Sequence, residues 1–408
     1  MVGGCAISCH VASNTNGVNP LQKFYPPRGL ARACPRLYNI ESSFLLPMYR
    51  RNKNPMNNIL ALQKKKRRNT VVIIAILIAV ILTGVACLFV GSSNMTFADA
   101  LDALLGGGTN AQSRIIWKIR VPRVLAAMIA GAGLAVSGLV MQTTLNNSMA
   151  SPSTLGVSNA AVFGANLSII AFAGGFLSTG NNLQNFDVGA NPYATSVLAF
   201  VFSSLSILLI LGLCTVRSFS PNVVVLSGMA ISSVWTAATT VLQFYATDVG
   251  LSAAVVWSFG DLGRATYQTD GIMFTVVLIG FIFFLFMAWK YNALLSGDAT
   301  AKTMGIHVEA LRFVTLLLAS VITAACVSFL GVIGFVGIIC PHVTKKLLGQ
   351  DHRVTIPVSA LSGSLLLLFA DTFSRCMGSG SALPVGAITS LLGAPFFIAI
   401  IFSGKERH

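Results

Sequence analysis

Residues 71 to 90 read VVIIAILIAVILTGVACLFV, and five cations, Lys64, Lys65, Lys66, Arg67 and Arg68, stand shortly before them. An α-helix rises about 1.5 Å per residue, so about 20 apolar residues carry it across a hydrocarbon core of about 30 Å. Backbone amides and carbonyls find no water there, which leaves helices and closed barrels as the only spanning forms. Similar runs recur at 122–143, 154–175, 193–213, 222–245, 271–290, 312–330, 333–348, 355–375 and 384–403. They lack the alternation of apolar and polar positions, in segments of about ten residues, that a barrel strand needs. With 54% hydrophobic and 10% charged residues, the chain has too little polar material to cover a soluble domain. The expectation is an all-α integral membrane protein with ten transmembrane helices.

Charge sets the orientation. Taking the loops alternately, the inner set after residue 55 holds fourteen lysines and arginines and the outer set six. Cytoplasmic loops are enriched in these residues, so both termini are expected in the cytoplasm. The net charge of +15 is spread through loops and is no nucleic-acid footprint. One stretch is harder to place. From Phe313 to Thr344 the apolar run is too long for one helix, and Gly331, Gly334, Gly337 and Pro341 interrupt it. A span, a sharp outer turn and a short second helix are expected there.

Residues 1–55 contain no span, no amphipathic period and no signal peptide, and are expected to be disordered or an over-extended gene start, with Met56 a natural beginning. A basic segment, 56–70, leads into the transmembrane domain at 71–403. Cys87, Cys214, Cys326 and Cys340 lie in or beside apolar runs and read as small hydrophobes, with no disulfide framework. Cys5, Cys9 and His10 lack a second pair at ligand spacing, so no metal site is expected.

Several functions are disfavoured by what the sequence does not contain. It has no G-x-x-x-x-G-K-[ST] phosphate loop, no H-E-x-x-H metal pair and no G-x-S-x-G nucleophile elbow, so neither an ATPase site nor a hydrolase is expected in this chain. Its twelve acids fall almost wholly in loops and at span ends, Asp371 lying near the outer end of its span. A stand-alone secondary carrier usually needs an ionisable group at the midplane. His307, His342 and His352 are scattered over separate cytoplasmic features and read as structural or interfacial. Gln142, Ser137 and Gln243 suit either a pathway wall or hydrogen bonds between helices. The small residues Ala127, Gly131 and Ala135, like Gly228 between Ser227 and Ile231, suit close helix packing.

Several motifs, in order, carry a family resemblance. RVPRVLAAMIAGAGLAVSGLVMQ (120–142), NNSMASPSTLGVSNAAVFGA (146–165), SGDATAKTMGIHVEALR (296–312), GFVGIICPH (334–342), GQDHR (349–353) and LPVGAITSLLGAPFF (383–397) together resemble the FecCD-type permeases. These are membrane subunits of binding-protein-dependent ABC importers for iron-siderophores, haem and vitamin B12. The resemblance implies a type II ABC importer permease fold with ten spans per subunit. A second permease subunit, the same or a homologous chain, a cytoplasmic ABC ATPase dimer and an extracytoplasmic solute-binding protein are the implied partners, with lipid around them. No cofactor is expected in this subunit, ATP and magnesium being bound by the ATPase. The implied location is the inner membrane of a bacterium, and the implied cargo a ferric siderophore, with haem or vitamin B12 as alternatives.

Two sites follow from the resemblance. The cytoplasmic segment 296–312 corresponds to short coupling helices that dock in an ATPase cleft. Asp298 is expected to favour the helix's positive amino end and Gly305 to terminate it, with Ala301, Met304 and Ile306 offered outward and Lys302 and His307 at the rim. Outside, Arg120, Arg123 and Arg375 are expected to pair with glutamates of the binding protein. Helix capping and headgroup contact are the alternative reading of these arginines. The inner loop after the second span departs from the family's usual N-P-L-A-D-P: Ser148 follows Asn147, and Ser151 stands where the acid is usual, which puts the loop's rigidity in question.

Overall fold

A computed structural model describes residues 55–90, 96–107, 109–172, 192–216, 220–377 and 383–403. The expectations for residues 1–54, including Cys5, Cys9 and His10, lie outside these, as do Asp187, Arg217, Lys405, Glu406 and Arg407. The chain divides into two units, Met1–Arg67 and Arg68–His408, and every site discussed below lies in the second.

The described helices run α1 Pro55–Phe89, α2 Phe97–Leu105, α3 Asn110–Arg114, a π-turn Ile115–Arg120, α4 Val121–Thr144, α5 Val157–Asn166, α6 Pro192–Val216, α7 Pro221–Phe244 and α8 Asp248–Ser258. After them come α9 Tyr267–Phe286, α10 Ala288–Leu294, α11 Asp298–Thr303, α12 Val308–Leu330, α13 Val336–Leu348, α14 His352–Met377 and α15 Val385–Ser403. Each of the ten expected apolar runs falls mainly on one of these helices, 271–290 running on into α10 and 154–175 continuing past α5 through a π-turn, Leu167–Phe172, as far as the described residues reach. Among the described residues, seven helices are long and apolar enough to cross a membrane. The other three expected spans fall on shorter elements, Val157–Phe172, α13 and Val385–Phe396.

The spans differ sharply in how they are covered. In the most apolar window of Ala111–Thr144, 78% of residues are buried within the chain, against 17% for α1 and for α7. The continuous rod ending in α4 is therefore the internal post around which α9, α12, α13 and α14 pack. Small residues make this possible. A Cβ on Gly131 would run into the backbone of Gly363 in α14, and one on Gly138 into the backbone of Gly337 in α13. Ala127 and Ala135 are wholly buried on the same post, so the expected close packing is what the sequence pattern encodes.

The interruption after α12 is also where it was expected. Gly331 adopts φ +80° and Phe335 φ +64°, both left-handed, and the chain reverses into α13. Gly337 and Pro341 do not break α13 but lie within it. Two short outer helices, α2 and α3, were not anticipated. Each opens on a reciprocal cap, Thr96 with Asp99 and Thr109 with Gln112. Cys87, Cys214, Cys326 and Cys340 are buried free thiols, as expected.

Candidate functional site

The inner site begins where α10 ends. Gly297 at φ +98° turns the chain into α11, and Gly305 at φ +79° turns it out again. The exit is closed by two backbone bonds, Gly305 N–H to Lys302 C=O at 3.0 Å and Ile306 N–H to Ala301 C=O at 3.1 Å. That pairing is a Schellman motif, and Gly305 is its left-handed residue, as the sequence anticipated. The same motif overturns part of the expected surface. It brings Ile306 back over the helix, so that Ala301 and Ile306 are buried, at 0% and 5% exposure, in the main apolar cluster. The outward surface is carried instead by Met304, 58% exposed, with Lys302 and His307 beside it. Lys302 forms an exposed ion pair with Glu309 at 3.6 Å.

Asp298 stands in the first turn of α11, at the positive amino end as expected, without a side-chain capping bond. Its carboxylate instead accepts two bonds from Arg312 Nη2, at 2.8 and 2.9 Å. Arg312, itself 3% exposed, donates from Nε to the Thr144 carbonyl at 2.9 Å. Thr144 is the last residue of α4, where helix carbonyls lack partners and a cation is favoured. The segment between the sixth and seventh apolar runs is thus joined to the internal post through one arginine. Nothing in the sequence pointed to this link beyond the charge of Arg312 at the edge of an apolar run.

The loop that follows α4 keeps its order without the usual proline and acid. Asn146, at φ +45°, ends the helix, with Asn146 N–H on Thr143 C=O and Asn147 N–H on Gln142 C=O. Farther on, Ser151 and Thr154 bind each other reciprocally, side chain to backbone, at 3.0 and 3.3 Å. Ser151 therefore replaces the expected carboxylate as a local turn former.

At the outer end the expected docking arginines are not surface groups. Arg120, Arg123 and Arg375 are only 5%, 9% and 7% exposed. Arg123 Nε meets Asp371 Oδ1 at 2.7 Å, and Arg375 Nε meets the other oxygen of Asp371 at 3.0 Å. Arg120 Nη1 donates to the carbonyls of Leu88 and Phe89, and Arg375 Nη1 to those of Cys87 and Val90. These are the orphan carbonyls at the end of α1. Arg264 treats α8 alike, donating to Val256 and Trp257 carbonyls, and burial pulls its pKa below the ordinary arginine value. The capping alternative accounts for these outer cations: helices that end on this side need positive donors at their carboxyl ends.

The two glutamines expected within spans are likewise hydrogen-bonded inside the chain. Gln142 donates to Gly337 C=O at 3.3 Å and accepts from Lys345 Nζ at 3.1 Å. Gln243 donates to Asn166 Oδ1 at 3.0 Å, and Ser137 is fully buried. His352 is wholly buried and bonded through both ring nitrogens, a structural histidine. Among the described residues no group of three or more His, Cys, Asp or Glu side chains could hold a metal ion.

This architecture matches a known one: the model of the FecCD transport family aligns with residues 72–403. The chain belongs to the FecCD transport family. A Methanocaldococcus jannaschii protein named "Putative ABC transporter permease protein MJ0087" is 43% identical over 81% of this FecCD chain and 94% of its own length. The hemin transport system permease protein HmuU of Yersinia pestis is 35% identical over 79% of this chain and 93% of its own. The solved inward-facing conformation of a "putative metal-chelate type ABC transporter" superposes with a TM-score of 0.69 at 26% identity. It covers 81% of this chain and 99% of the solved one. Other relatives are named for other cargos, cobalamin in Halobacterium salinarum and iron(3+)-hydroxamate in Bacillus subtilis. The chain is accordingly a multi-pass membrane protein with the permease fold.

Proposed function

We propose that this FecCD-family chain is the membrane subunit of a binding-protein-dependent importer of metal chelates, moving its cargo inward across ten spans at the expense of ATP hydrolysed by partner subunits. The observation that carries this is the bond chain from Asp298 through Arg312 to Thr144. A surface segment with an exposed methionine is tied by it to the most buried span, as a permease driven from outside itself requires. In this reading Met304, Lys302 and His307 meet the ATPase, while Asp298, Ala301, Gly305 and Ile306 set the shape and anchorage of the knuckle that bears them. Two such chains, or this one and a homologue, enclose the pathway between them in a bacterial inner membrane. The outer arginines brace the mouth on which the binding protein sits. Alternation between outward and inward openings follows from the nucleotide state of the ATPases, which favours one opening over the other.

The expected cargo is a ferric siderophore, the chemical class to which iron(3+)-hydroxamates belong. The relative named for hemin makes haem the second reading, and the one named for cobalamin the third. Vesicles containing the complete importer and internal ATP are given a ferric hydroxamate, haem and cobalamin in turn, each on its binding protein. Nucleotide-dependent accumulation of the hydroxamate alone is expected. Accumulation of only haem or cobalamin would replace the cargo, and equal uptake without ATPase subunits would replace the class with a secondary carrier.

A further inference from the structure

The last three residues of α4 are each held by a different neighbouring element. Gln142 accepts from Lys345 of α13 at 3.1 Å, through Nζ. The Thr143 hydroxyl lies 2.7 Å from His352 Nε2 at the start of α14. The Thr144 carbonyl receives Arg312 of α12 at 2.9 Å.

Each partner is itself anchored. Arg312 holds Asp298 of α11. His352 binds Asn292 of α10 twice, through its backbone N–H at 2.8 Å and ring Nδ1 at 2.9 Å, both to Oδ1. Asn292 in turn donates from Nδ2 to Asp351 at 2.8 Å. Because Asn292 Oδ1 can only accept, Nδ1 carries a ring proton, while the Thr143 hydroxyl, 2.7 Å from Nε2, also lies 3.1 Å from the Leu139 carbonyl of its own helix. The ring's position is thus set from both sides. α10 and α11 are the two halves of the cytoplasmic excursion between α9 and α12, so both halves are bonded, through one side chain each, to adjacent residues of the same helix end.

We propose that this last turn of α4 is the receiving point for movement of the α10–α11 knuckle, and that Arg312, His352 and Lys345 are positioning residues that make the post, rather than the peripheral spans, follow it. The proposal rests on the reading of the chain as an ATP-driven permease, and adds where the drive enters. Two attachments a residue apart resist both translation and rotation of the helix, which a single contact would not. Lys345 fixes the third residue to α13, so the reversal after α12 is drawn into the same unit. The arrangement is polar and short-ranged, so it transmits only while the bonds are kept. A change that lengthens one of them decouples hydrolysis from uptake without removing the ATPase.

The test uses the complete importer in vesicles and reads ATP hydrolysed per cargo molecule accumulated, alongside the ATPase retained on purification. Arg312→Lys keeps a charge opposite Asp298 but loses the Nε donor to Thr144. Thr143→Val removes the hydroxyl from His352 at nearly constant volume. Asp298→Asn weakens the surface end, where the side chain is 48% exposed. Each is expected to raise the ratio by about fivefold or more, the lower end of ordinary coupling free energies, with the ATPase still bound. Glu309→Gln, an exposed charge change on the same face with no bond to α4, is expected to stay within about twofold. If Arg312→Lys lowers the yield of folded protein, Thr143→Val and Asp298→Asn carry the test. Wild-type ratios in those two variants would overturn the proposal, and so would loss of the ATPase from them, which would make the residues docking groups. Failure of the wild-type importer to couple hydrolysis to uptake would instead defeat the proposed function itself.

Discussion

Both ends of the molecule use arginine to satisfy the carbonyls of a helix that has run out of partners, but they differ in what else the arginine holds. At the outer end, Arg123 and Arg375 share Asp371, whose side chain is 0% exposed, and Arg123 also reaches half-exposed Asp261 at a longer 3.7 Å. At the inner end, Arg312 holds Asp298, whose side chain is 48% exposed on a segment that faces outward. One cluster is a lock and the other a linkage. Chemistry is the same in both, and the solvent exposure of the shared carboxylate decides which role it has.

The largest difference is expected when that carboxylate is removed. Asp371→Ala leaves buried Arg375 without its anion and Arg123 with Asp261 at 3.7 Å, and should destabilise the fold by about 3–5 kcal/mol. Asp298→Ala removes a half-exposed carboxylate from buried Arg312 and should cost less, about 1–3 kcal/mol. Denaturant midpoints in detergent compare the two, and equal shifts would erase the contrast. A smaller effect follows from Arg120→Gln, which withdraws a charged donor from the carbonyls of Leu88 and Phe89. The expected loss is about 1–3 kcal/mol, with faster amide exchange confined to the end of α1. Unchanged exchange at residues 86–90 would show that the cap is idle.

At the inner end the ranking inverts, function before stability. Met304→Asp should shift unfolding by no more than about 0.5 kcal/mol, the usual range for surface changes, while reducing ATPase retention by about tenfold. Ala301→Asp is a poor companion to it, because Ala301 is buried and an acid there would disrupt α11 itself. Smallest of all is Lys302→Ala. The pair with Glu309 is exposed on both sides, so about 0–1 kcal/mol is at stake, and less in high salt.

The helices were legible because a membrane leaves the backbone so few choices: the apolar runs fell on helices, seven of them, among the described residues, long and apolar enough to cross. The stop at Gly305 was legible for a local reason, a glycine just past a short helix. Its corollary was missed, since a Schellman exit turns the residue after the glycine inward and so hides Ile306 over Ala301. The two caps opening α2 and α3 were also readable, as Thr followed three residues later by Asp or Gln. What could not be read was the burial of Arg120, Arg123 and Arg375. Arg123 owes its place to Asp371, 248 residues away in sequence, and only the packing of α14 against α4 brings the two together. Arg312 was hidden likewise, at the edge of an apolar run with its acceptor, Thr144, 168 residues earlier.

The central claim, that drive enters through the α11 knuckle, is tested most directly by tethering it. A cysteine in place of Met304, in a chain whose exposed Cys376 is replaced by serine along with Cys5, Cys9 and Cys34, is joined to the ATPase by a short reducible cross-linker in the complete importer. Cross-linking in high yield is expected, with uptake held at the rate allowed by the trapped geometry and restored on reduction. No cross-link to the ATPase from this position, while cargo is still imported at the wild-type rate, would contradict the account.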